Sequence, residues 1–281
     1  MSTPTIPTLT LPTGAPIPQF GFGTYKVTEG VYEAVSNALE LGYRHIDTAQ
    51  MYGNEPEVGR AIADSGIPRE ELFITSKLNN TNHEPDVARA TFAQTLEDLR
   101  TDYVDLFLIH WPLPALYDGN VALPWSALEE FYADGRARAI GLSNYEIAHI
   151  QAVLDVATVA PHVLQVEAHP FLPNNELRQF ARDHSMVVEA WSPLARGRAP
   201  FDETLAMIGA RIGVSAAQVA LRWALQRGDV IFPKSVTPSR QAQNLDVFSF
   251  TLSDEDMTAI DALDEGEAGR TGSNPNTMNR L

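Results

Sequence analysis

The 281-residue chain has no cysteine and few basic residues. The lack of cysteine excludes a disulfide framework, a zinc ribbon and a thiol nucleophile. Lysine and arginine number 20 against 36 aspartate and glutamate residues, so the formal net charge is −16. Because an acidic surface repels phosphate backbones, we expect no nucleic-acid partner, although one small basic pocket remains compatible with this charge.

Long apolar segments are also absent. The longest apolar run, residues 104–111, is interrupted by Asp105 and His110, whereas a membrane helix needs about 18 apolar residues. The first residues show neither the basic region nor the apolar region of a secretory signal. We therefore predict a cytoplasmic protein without membrane association. No exposed apolar stripe indicates a partner subunit, which predicts a monomer.

Three motifs of other enzyme classes are missing. Residues 141–145 approach the Gly-x-Ser-x-Gly nucleophile motif but lack its final glycine. No His-Glu-x-x-His segment occurs, and the scattered histidines lack ligand spacing, so we predict no metal site. No Gly-x-Gly-x-x-Gly segment follows a predicted strand, so a nucleotide would not be bound in the Rossmann manner.

Short apolar runs alternate with helically periodic segments along the chain, a pattern typical of a parallel sheet covered by helices. The predicted strands are residues 21–24, 44–47, 72–77, 104–110, 137–143, 164–167, 186–191 and 230–234. The predicted helices are residues 29–41, 55–63, 84–100, 125–134, 145–156, 174–183, 203–212, 215–227 and 240–246.

Eight such β/α units in this length predict an α/β protein with a single (β/α)8 TIM barrel, forming one domain over residues 1–281. Before the barrel, residues 8–11 and 17–20 flank a Pro-Thr-Gly turn and predict a β-hairpin. After it, residues 253–263 predict a helix with Ser253 as N-cap, and residues 265–281 an irregular tail. The pattern alone leaves an open α/β sheet in two domains as the alternative.

Polar side chains stand at the C-terminal ends of the predicted strands, where the catalytic groups of such barrels lie. Asp47 ends the second strand with Tyr52 in its loop, Lys77 ends the third, and His110 ends the fourth. A free tyrosine has a pKa of about 10. A neighbouring ammonium group lowers that pKa, and a carboxylate holds the ammonium in place. These four residues predict proton donation to a carbonyl oxygen, with Tyr52 as general acid and His110 bound to the substrate oxygen.

A carbonyl polarised in this way needs a nucleophile, and hydride from a nicotinamide ring fits. Trp191, at the end of the seventh strand, would stack on that flat ring. Three side chains at the ends of neighbouring strands would hydrogen-bond the carboxamide of the ring, namely Ser143, Asn144 and Gln165.

Residues 234–240 predict an anion site. Pro238 suits the first position of a helix, which makes Thr237 its N-cap. A helix N-terminus with Lys234, Ser235 and Arg240 nearby favours phosphate. On so acidic a chain, this local cluster indicates a phosphorylated ligand.

Six segments, in this order, resemble the aldo-keto reductase family over nearly the whole chain. The longest is Arg-His-Ile-Asp-Thr-Ala-Gln-Met-Tyr-Gly-Asn-Glu at residues 44–55, and the others are residues 21–24, 75–78, 108–112, 141–144 and 233–235. Within the family, Trp191 and residues 244–248 are most similar to the bacterial 2,5-diketo-D-gluconic acid reductases.

The resemblance implies a catalytic tetrad of Asp47, Tyr52, Lys77 and His110. It implies reduction of aldehydes and ketones, including small dicarbonyls and keto-sugars such as 2,5-diketo-D-gluconate, with NADPH as cofactor. The implied substrate-binding residues are Tyr25, Tyr52, His110 and Trp111. The implied cofactor-binding residues are Gly23, Thr24, Ser143, Asn144, Gln165, Trp191, Ser192, Leu194, Lys234, Ser235, Val236, Thr237, Arg240, Gln243 and Asn244. Lys234 and Arg240 would meet the 2′-phosphate of the cofactor.

Three residues depart from the family pattern. Gln243 stands where glutamate is usual, and Thr237 replaces a basic residue common in the most similar group. Asn79 replaces a tryptophan of that group, which removes a large aromatic ring near the expected pocket mouth.

Two other functions use the same residues. Lys77 ends a barrel strand, where a desolvated lysine forms Schiff bases in aldolases. A barrel that binds a nicotinamide without catalysis would serve as a regulator.

Overall fold

The computed structural model describes residues 5–281, and it begins with the predicted hairpin. Strands β1 (Thr8–Thr10) and β2 (Pro16–Pro18) pair antiparallel over three residue pairs. Gly14 in the turn has a φ of 85°, a left-handed conformation that glycine adopts without strain. The strands are shorter than predicted because the second segment leaves the hairpin after Pro18 and runs on to the barrel.

Eight parallel strands form one sheet whose spatial order follows the chain. They are β3 (Phe22–Gly23), β4 (His45–Asp47), β5 (Phe73–Leu78), β6 (Leu106–Ile109), β7 (Ile140–Ser143), β8 (Val163–Glu167), β9 (Val187–Trp191) and β10 (Val230–Ile231). The two ends of the sheet meet where Phe20 bridges Ile231 in parallel. The Gly21 amide donates to the Ile231 carbonyl at 2.9 Å, and the Ile231 amide donates to the Gln19 carbonyl at 3.1 Å. The predicted (β/α)8 barrel is thus confirmed, and its closure excludes an open sheet.

The helices of the described residues surround this sheet. They are α1 (Val31–Leu41), α2 (Glu55–Asp64), α3 (Pro85–Asp98), α4 (Trp125–Ala133), α5 (Ile147–Leu154), α6 (Asn175–Asp183), α7 (Glu203–Ile212), α8 (Ala216–Gln226), α9 (Pro238–Leu245) and α10 (Asp254–Asp261). Helix α9 begins at Pro238, the first position predicted from the proline, which is two residues before the range 240–246, and the preceding Thr237 is extended. The Ser253 hydroxyl caps α10 as predicted by accepting from the Asp256 amide.

No single helix of residues 5–281 is long and apolar enough to cross a membrane. Helices α7 and α8 meet that criterion only when taken together, and a bend of 91° separates them. Both helices bury apolar side chains, such as Leu205 and Val219, in the core around the sheet.

The hairpin covers the N-terminal end of the barrel. Leu11 and Ile17 from the hairpin pack with Leu106, Val163 and Phe232 in one buried apolar cluster inside the sheet. A larger cluster fills the space between the sheet and the helices, where Phe92 and Phe131 stack with ring centroids 4.2 Å apart. The polar strand ends therefore lie at the opposite, C-terminal end.

The C-terminal tail returns to that opposite end. After α10 it forms one short helical turn (Gly266–Gly269) and is otherwise irregular, as predicted. The Glu167 carboxylate at the end of β8 accepts from the Gly272 amide at 2.9 Å. Farther along, the side-chain amide of Asn80 donates to the Arg280 carbonyl at 2.7 Å. The tail thus crosses the barrel mouth, a path that its polar composition did not predict.

Candidate active site

Three neighbouring strands bring the predicted tetrad together. Asp47 is the last residue of β4, Lys77 is the penultimate residue of β5, and His110 directly follows β6. Tyr52 closes a short helical turn, residues 50–52, between β4 and α2. Because the carboxyl ends of parallel strands meet at one rim, four residues spread over 64 positions share one site.

Lys77 and Asp47 form a buried ion pair. The Lys77 Nζ lies 2.7 Å and 2.8 Å from the two carboxylate oxygens of Asp47, and it donates to the Thr48 carbonyl at 2.9 Å. Burial alone would lower the pKa of Lys77, but the charge of the Asp47 carboxylate opposes this effect and the pKa is raised overall. Lys77 is therefore an ammonium group, which counts against a Schiff-base aldolase, because that reaction needs a free amine.

The Tyr52 hydroxyl lies 3.5 Å from the Lys77 Nζ, which is longer than an ordinary hydrogen bond but close enough for strong electrostatic contact. Burial raises the pKa of Tyr52 to about 12, and the Lys77 cation offsets only part of that rise. Lys77 thus lowers the pKa of the phenol as predicted, yet the net shift is upward because burial outweighs it. Near neutral pH, Tyr52 is a protonated phenol.

His110 stands beside the phenol as a neutral ring. Its ring centroid lies 5.6 Å from that of Tyr52, and the planes meet edge to face. Burial and the Lys77 charge hold the pKa of His110 well below its ordinary value. A neutral imidazole offers a hydrogen bond to a substrate oxygen without adding a second cation beside Lys77.

The predicted substrate residues surround this proton donor. The Tyr25 ring centroid lies 5.1 Å from that of Tyr52, and 46% of the Tyr25 surface is exposed. Trp111 is buried against Leu113 and Met278, the latter from the C-terminal tail. These contacts show where the side chains lie, and their roles in substrate binding stay predictions.

The next strands provide a fixed aromatic surface. Asn144, directly after β7, has a left-handed backbone with a φ of 65°. Its side chain donates to the His110 carbonyl at 2.9 Å and accepts from the Trp191 indole at 2.8 Å. The Trp191 ring at the end of β9 is half-buried and also meets the tail, since a Cβ on Gly272 would lie 2.3 Å from it. Asn144 therefore links the His110 backbone to the orientation of this ring.

A buried glutamate below Trp191 was not predicted. Glu189 on β9 pairs in register with Gln165 on β8 and is fully buried. The Gln165 Nε2 donates to Glu189 Oε2 at 2.8 Å and to Asp47 Oδ2 at 2.9 Å. Burial and the Asp47 charge raise the pKa of Glu189 to about 8. The signal for this residue was a single charge inside the apolar run 186–191, two positions before Trp191.

A second buried glutamate lies behind the ion pair. Glu55, in the first turn of α2, accepts from the Ser76 hydroxyl at 2.6 Å. Burial raises the pKa of Glu55 to about 7. The sequence placed Glu55 within the family motif but did not reveal its burial, which depends on how α2 packs against β5 and α3.

The residues of the predicted anion site lie before and within the first turn of α9. Lys234, Thr237 and Arg240 are exposed, and neither cation pairs with a carboxylate of the described residues. Ser235 is buried, and its hydroxyl accepts from the Thr237 amide at 3.1 Å. The Thr237 side chain does not cap the helix. Two unpaired cations beside an uncapped helix start suit a phosphate group.

The other predicted cofactor residues lie around the same rim. Gly23 pairs with Asp47 across β3 and β4, and Thr24 directs both its amide and its hydroxyl to the Asp47 carbonyl. Ser192, with a φ of 52°, and Leu194 follow β9. The remaining predicted residues lie within α9 or just before it, namely Val236, Gln243 and Asn244. Their cofactor contacts stay predictions.

Comparisons with known proteins agree with this architecture. The sequence profile described as the aldo/keto reductase family matches residues 19–265. The chain is 45% identical over 273 residues to glyoxal reductase of Bacillus subtilis strain 168, covering 96% of this chain and 97% of that protein.

Solved structures show the same similarity. The apo form of Gox0644 matches with a TM-score of 0.93 and 38% identity, covering 98% of this chain and 99% of that chain. A single-residue mutant of Gox0644 in complex with NADPH matches with a TM-score of 0.92 at the same identity and coverage. The chain therefore belongs to the aldo/keto reductase family and is an oxidoreductase that acts on carbonyl groups.

Proposed function

We propose that the chain reduces small aldehydes and ketones, with dicarbonyls and keto-sugars as the substrate class and Tyr52 as the proton donor. The observation that carries this proposal is the Lys77 ammonium group, buried between the Asp47 carboxylate and the Tyr52 hydroxyl. The cofactor is NADPH. When bound, it supplies hydride to the carbonyl carbon.

The residues present suit this cofactor. Trp191 offers a half-buried flat ring whose orientation is held by Asn144. The segment 233–245 contains Lys234 and Arg240 but no acidic residue, in a chain with a net charge of −16. We propose that the two cations hold the 2′-phosphate and that Ser143, Asn144 and Gln165 hold the carboxamide.

The proton step follows from the tetrad. Tyr52, protonated near neutral pH, donates its phenolic proton to the carbonyl oxygen as that oxygen gains negative charge. The resulting phenolate is stabilised by the Lys77 ammonium, which Asp47 keeps charged and in place. The neutral His110 donates a hydrogen bond to the same substrate oxygen and orients it.

The packing of the C-terminal tail supports small substrates. Asn79, whose side chain accepts from the Asn80 amide at 2.7 Å in the loop after β5, does not narrow the mouth on its own side. The tail packs Met278 onto Trp111, which narrows the entrance on that side. The similarity to a protein named glyoxal reductase also favours a short dicarbonyl.

The test is NADPH oxidation, followed by absorbance, against a panel of small dicarbonyls, aldehydes and keto-sugars, with NADH in parallel. We expect turnover with NADPH and much less with NADH. Tyr52→Phe should lower kcat by about a hundredfold to ten-thousandfold, the range that proton transfer by a positioned side chain contributes. The same variant should bind NADPH normally in a titration of tryptophan fluorescence. Turnover near the wild-type rate in Tyr52→Phe would refute the assignment of the proton donor.

We further propose that residues 1–281 act as one domain. The return of the tail to Glu167 and Asn80 supports this proposal. The C-terminal residues of the chain contact the mouth of a barrel whose strands come from earlier in the chain. A monomer in the cytoplasm, without a nucleic-acid partner, stays a prediction.

A further inference from the structure

Gln165 lies between two buried carboxyl groups. Its Nε2 donates to Asp47 Oδ2 at 2.9 Å and to Glu189 Oε2 at 2.8 Å. A primary amide nitrogen has two hydrogens, and both are used here. No donor of the described residues contacts the Gln165 Oε1.

This arrangement determines which end of the amide faces inward. Two carboxyl oxygens require a donor, so the nitrogen end must point at Asp47 and Glu189. The carbonyl end then points away from both and remains free to accept a hydrogen bond. If Glu189 were absent, the Gln165 nitrogen would donate only to Asp47. Exchanging the nitrogen and oxygen ends of the amide by rotation would then break one hydrogen bond instead of two.

Stability does not explain a carboxyl group at position 189. Glu189 is fully buried, and its Oε1 has no hydrogen-bond partner among residues 5–281. Burying an unsatisfied polar atom costs free energy, and an apolar side chain would fill this place at lower cost. Ionised or protonated, the carboxyl group keeps an oxygen that accepts from Gln165.

We propose that Glu189 is a positioning residue that fixes the Gln165 amide so that its Oε1 accepts from the carboxamide NH2 group of the nicotinamide cofactor. The inference rests on the proposed function, because it assigns the partner of Gln165 in that site. It predicts that the protein selects cofactors whose ring substituent can donate a hydrogen bond.

The experiment compares binding of NADP+ with binding of its 3-acetylpyridine analogue, in which a methyl group replaces the amide nitrogen. Dissociation constants are measured by quenching of tryptophan fluorescence, so no turnover is required. Wild type should prefer NADP+ by about tenfold, the scale of one buried hydrogen bond. Glu189→Gln keeps an acceptor oxygen and should retain that preference. Glu189→Leu removes the acceptor oxygen, and the preference for NADP+ should fall to about twofold or less.

Two further variants complete the design. Asp105→Leu removes a different buried carboxyl group, which receives the Arg69 guanidinium and the Ile74 amide at the start of β6. It should lower the melting temperature yet keep the tenfold preference. Glu189→Thr is too short to reach Gln165 and suits a strand, so it replaces Glu189→Leu if the latter does not fold.

The possible results separate the two claims. Wild-type preference in Glu189→Leu or Glu189→Thr, or equal loss in Glu189→Gln, would overturn the role of Glu189. Binding of NADP+ by wild type without preference over the analogue would also overturn it, while leaving the proposed reaction intact. Failure of wild type to bind NADP+ at all would instead refute the proposed function.

Discussion

Burial of the Lys77–Asp47 pair makes each partner dependent on the other. The Lys77 side chain is 1% exposed and that of Asp47 is 7% exposed, so neither charge is solvated by bulk water. Removing one partner of such a pair leaves an uncompensated charge in the protein interior, which costs about 3–5 kcal/mol. The same isolation from water lets the ammonium act on Tyr52 with little screening.

We therefore expect Lys77→Met to lower the free energy of unfolding by about 3–5 kcal/mol. The double variant Asp47→Asn, Lys77→Met removes both charges and should be more stable than Lys77→Met alone. Both variants should lack turnover, because each removes the cation beside Tyr52. Urea denaturation checks the order of stability, and a double variant less stable than the single one would contradict it.

His45 contributes a pH dependence to stability from the interior of the barrel. Its ring nitrogens lie 3.2 Å from the Pro18 carbonyl and 2.9 Å from the Thr75 hydroxyl. Burial lowers the pKa of His45 to about 3. Between about pH 6.5 and that value the unfolded chain binds a proton that the folded chain does not, so this contribution to stability falls as pH falls.

His45→Gln should lack this contribution. The free energy of unfolding of wild type, relative to the variant, should decrease by about 1.4 kcal/mol per pH unit well below pH 6.5. Glu55 and Glu189, with raised pKa values, act in the opposite direction, so only the difference between variant and wild type isolates His45. Urea denaturation at several pH values between neutral and mildly acidic measures this difference. An equal pH dependence of the free energy of unfolding in wild type and variant would refute the contribution of His45.

At the scale of the elements, the barrel strands place polar side chains in two inward layers. Side chains two residues apart share one face of a strand. On β4 this pairs His45 with Asp47, and on β9 it pairs Glu189 with Trp191. Asp47 and Trp191, at the strand ends, face the mouth of the barrel. His45 and Glu189 lie one layer deeper and support them.

We expect helix α9 to set the choice between NADPH and NADH, as proposed above. Lys234 and Arg240 stand on either side of its start and have no carboxylate partner among the described residues. Each of Lys234→Ala and Arg240→Ala should raise the dissociation constant of NADPH by about tenfold or more, the scale of a charge-assisted hydrogen bond. Binding of NADH should change little.

The matched control is Arg60→Ala, which removes an exposed cation from α2. It separates a local contact with phosphate from the general effect of making an acidic chain more acidic. Fluorescence titrations give the dissociation constants of NADPH and NADH for each variant. An equal loss of NADH affinity in the α9 variants would argue against the phosphate contact.

At the scale of the whole molecule, the tail completes the site from outside the barrel. It binds Glu167 through the Thr271 and Gly272 amides and covers Trp111 with Met278. Few of its side chains enter the core, because most of residues 265–281 are exposed or half-buried. The tail therefore shapes the mouth more than it stabilises the barrel.

Removal of residues 265–281 should leave a folded barrel that still binds NADPH. We expect KM for small dicarbonyls to rise by about tenfold, because the wall that orients them is lost, with a smaller change for bulky carbonyls. Removal of Leu281 alone, an exposed terminal residue, is the control. Steady-state kinetics over the substrate panel checks this prediction, and unchanged KM values would show that the tail takes no part in substrate binding.

Features that depend on local sequence were predicted well. The alternation of apolar runs and helical periodicity located every barrel strand, since each segment carries its own burial pattern. Strand ends were less accurate: β10 holds only Val230 and Ile231 of the five residues predicted, because the ladder with β9 stops there. The motif order predicted where the four tetrad residues lie, because Asp47 and Lys77 are at the ends of their strands, His110 directly follows β6, and Tyr52 lies in the loop five residues after Asp47.

What the sequence by itself determined is the set of elements, the barrel they form and the residues at its rim. Only the tertiary structure decided the burial that raises the pKa of Tyr52, the bridge of Gln165 between Asp47 and Glu189, and the return of the tail to Glu167. These contacts join segments up to 118 residues apart. Local periodicity carries no information about such pairs, since they form only when the closed sheet brings distant strand ends within hydrogen-bond distance and excludes water from them.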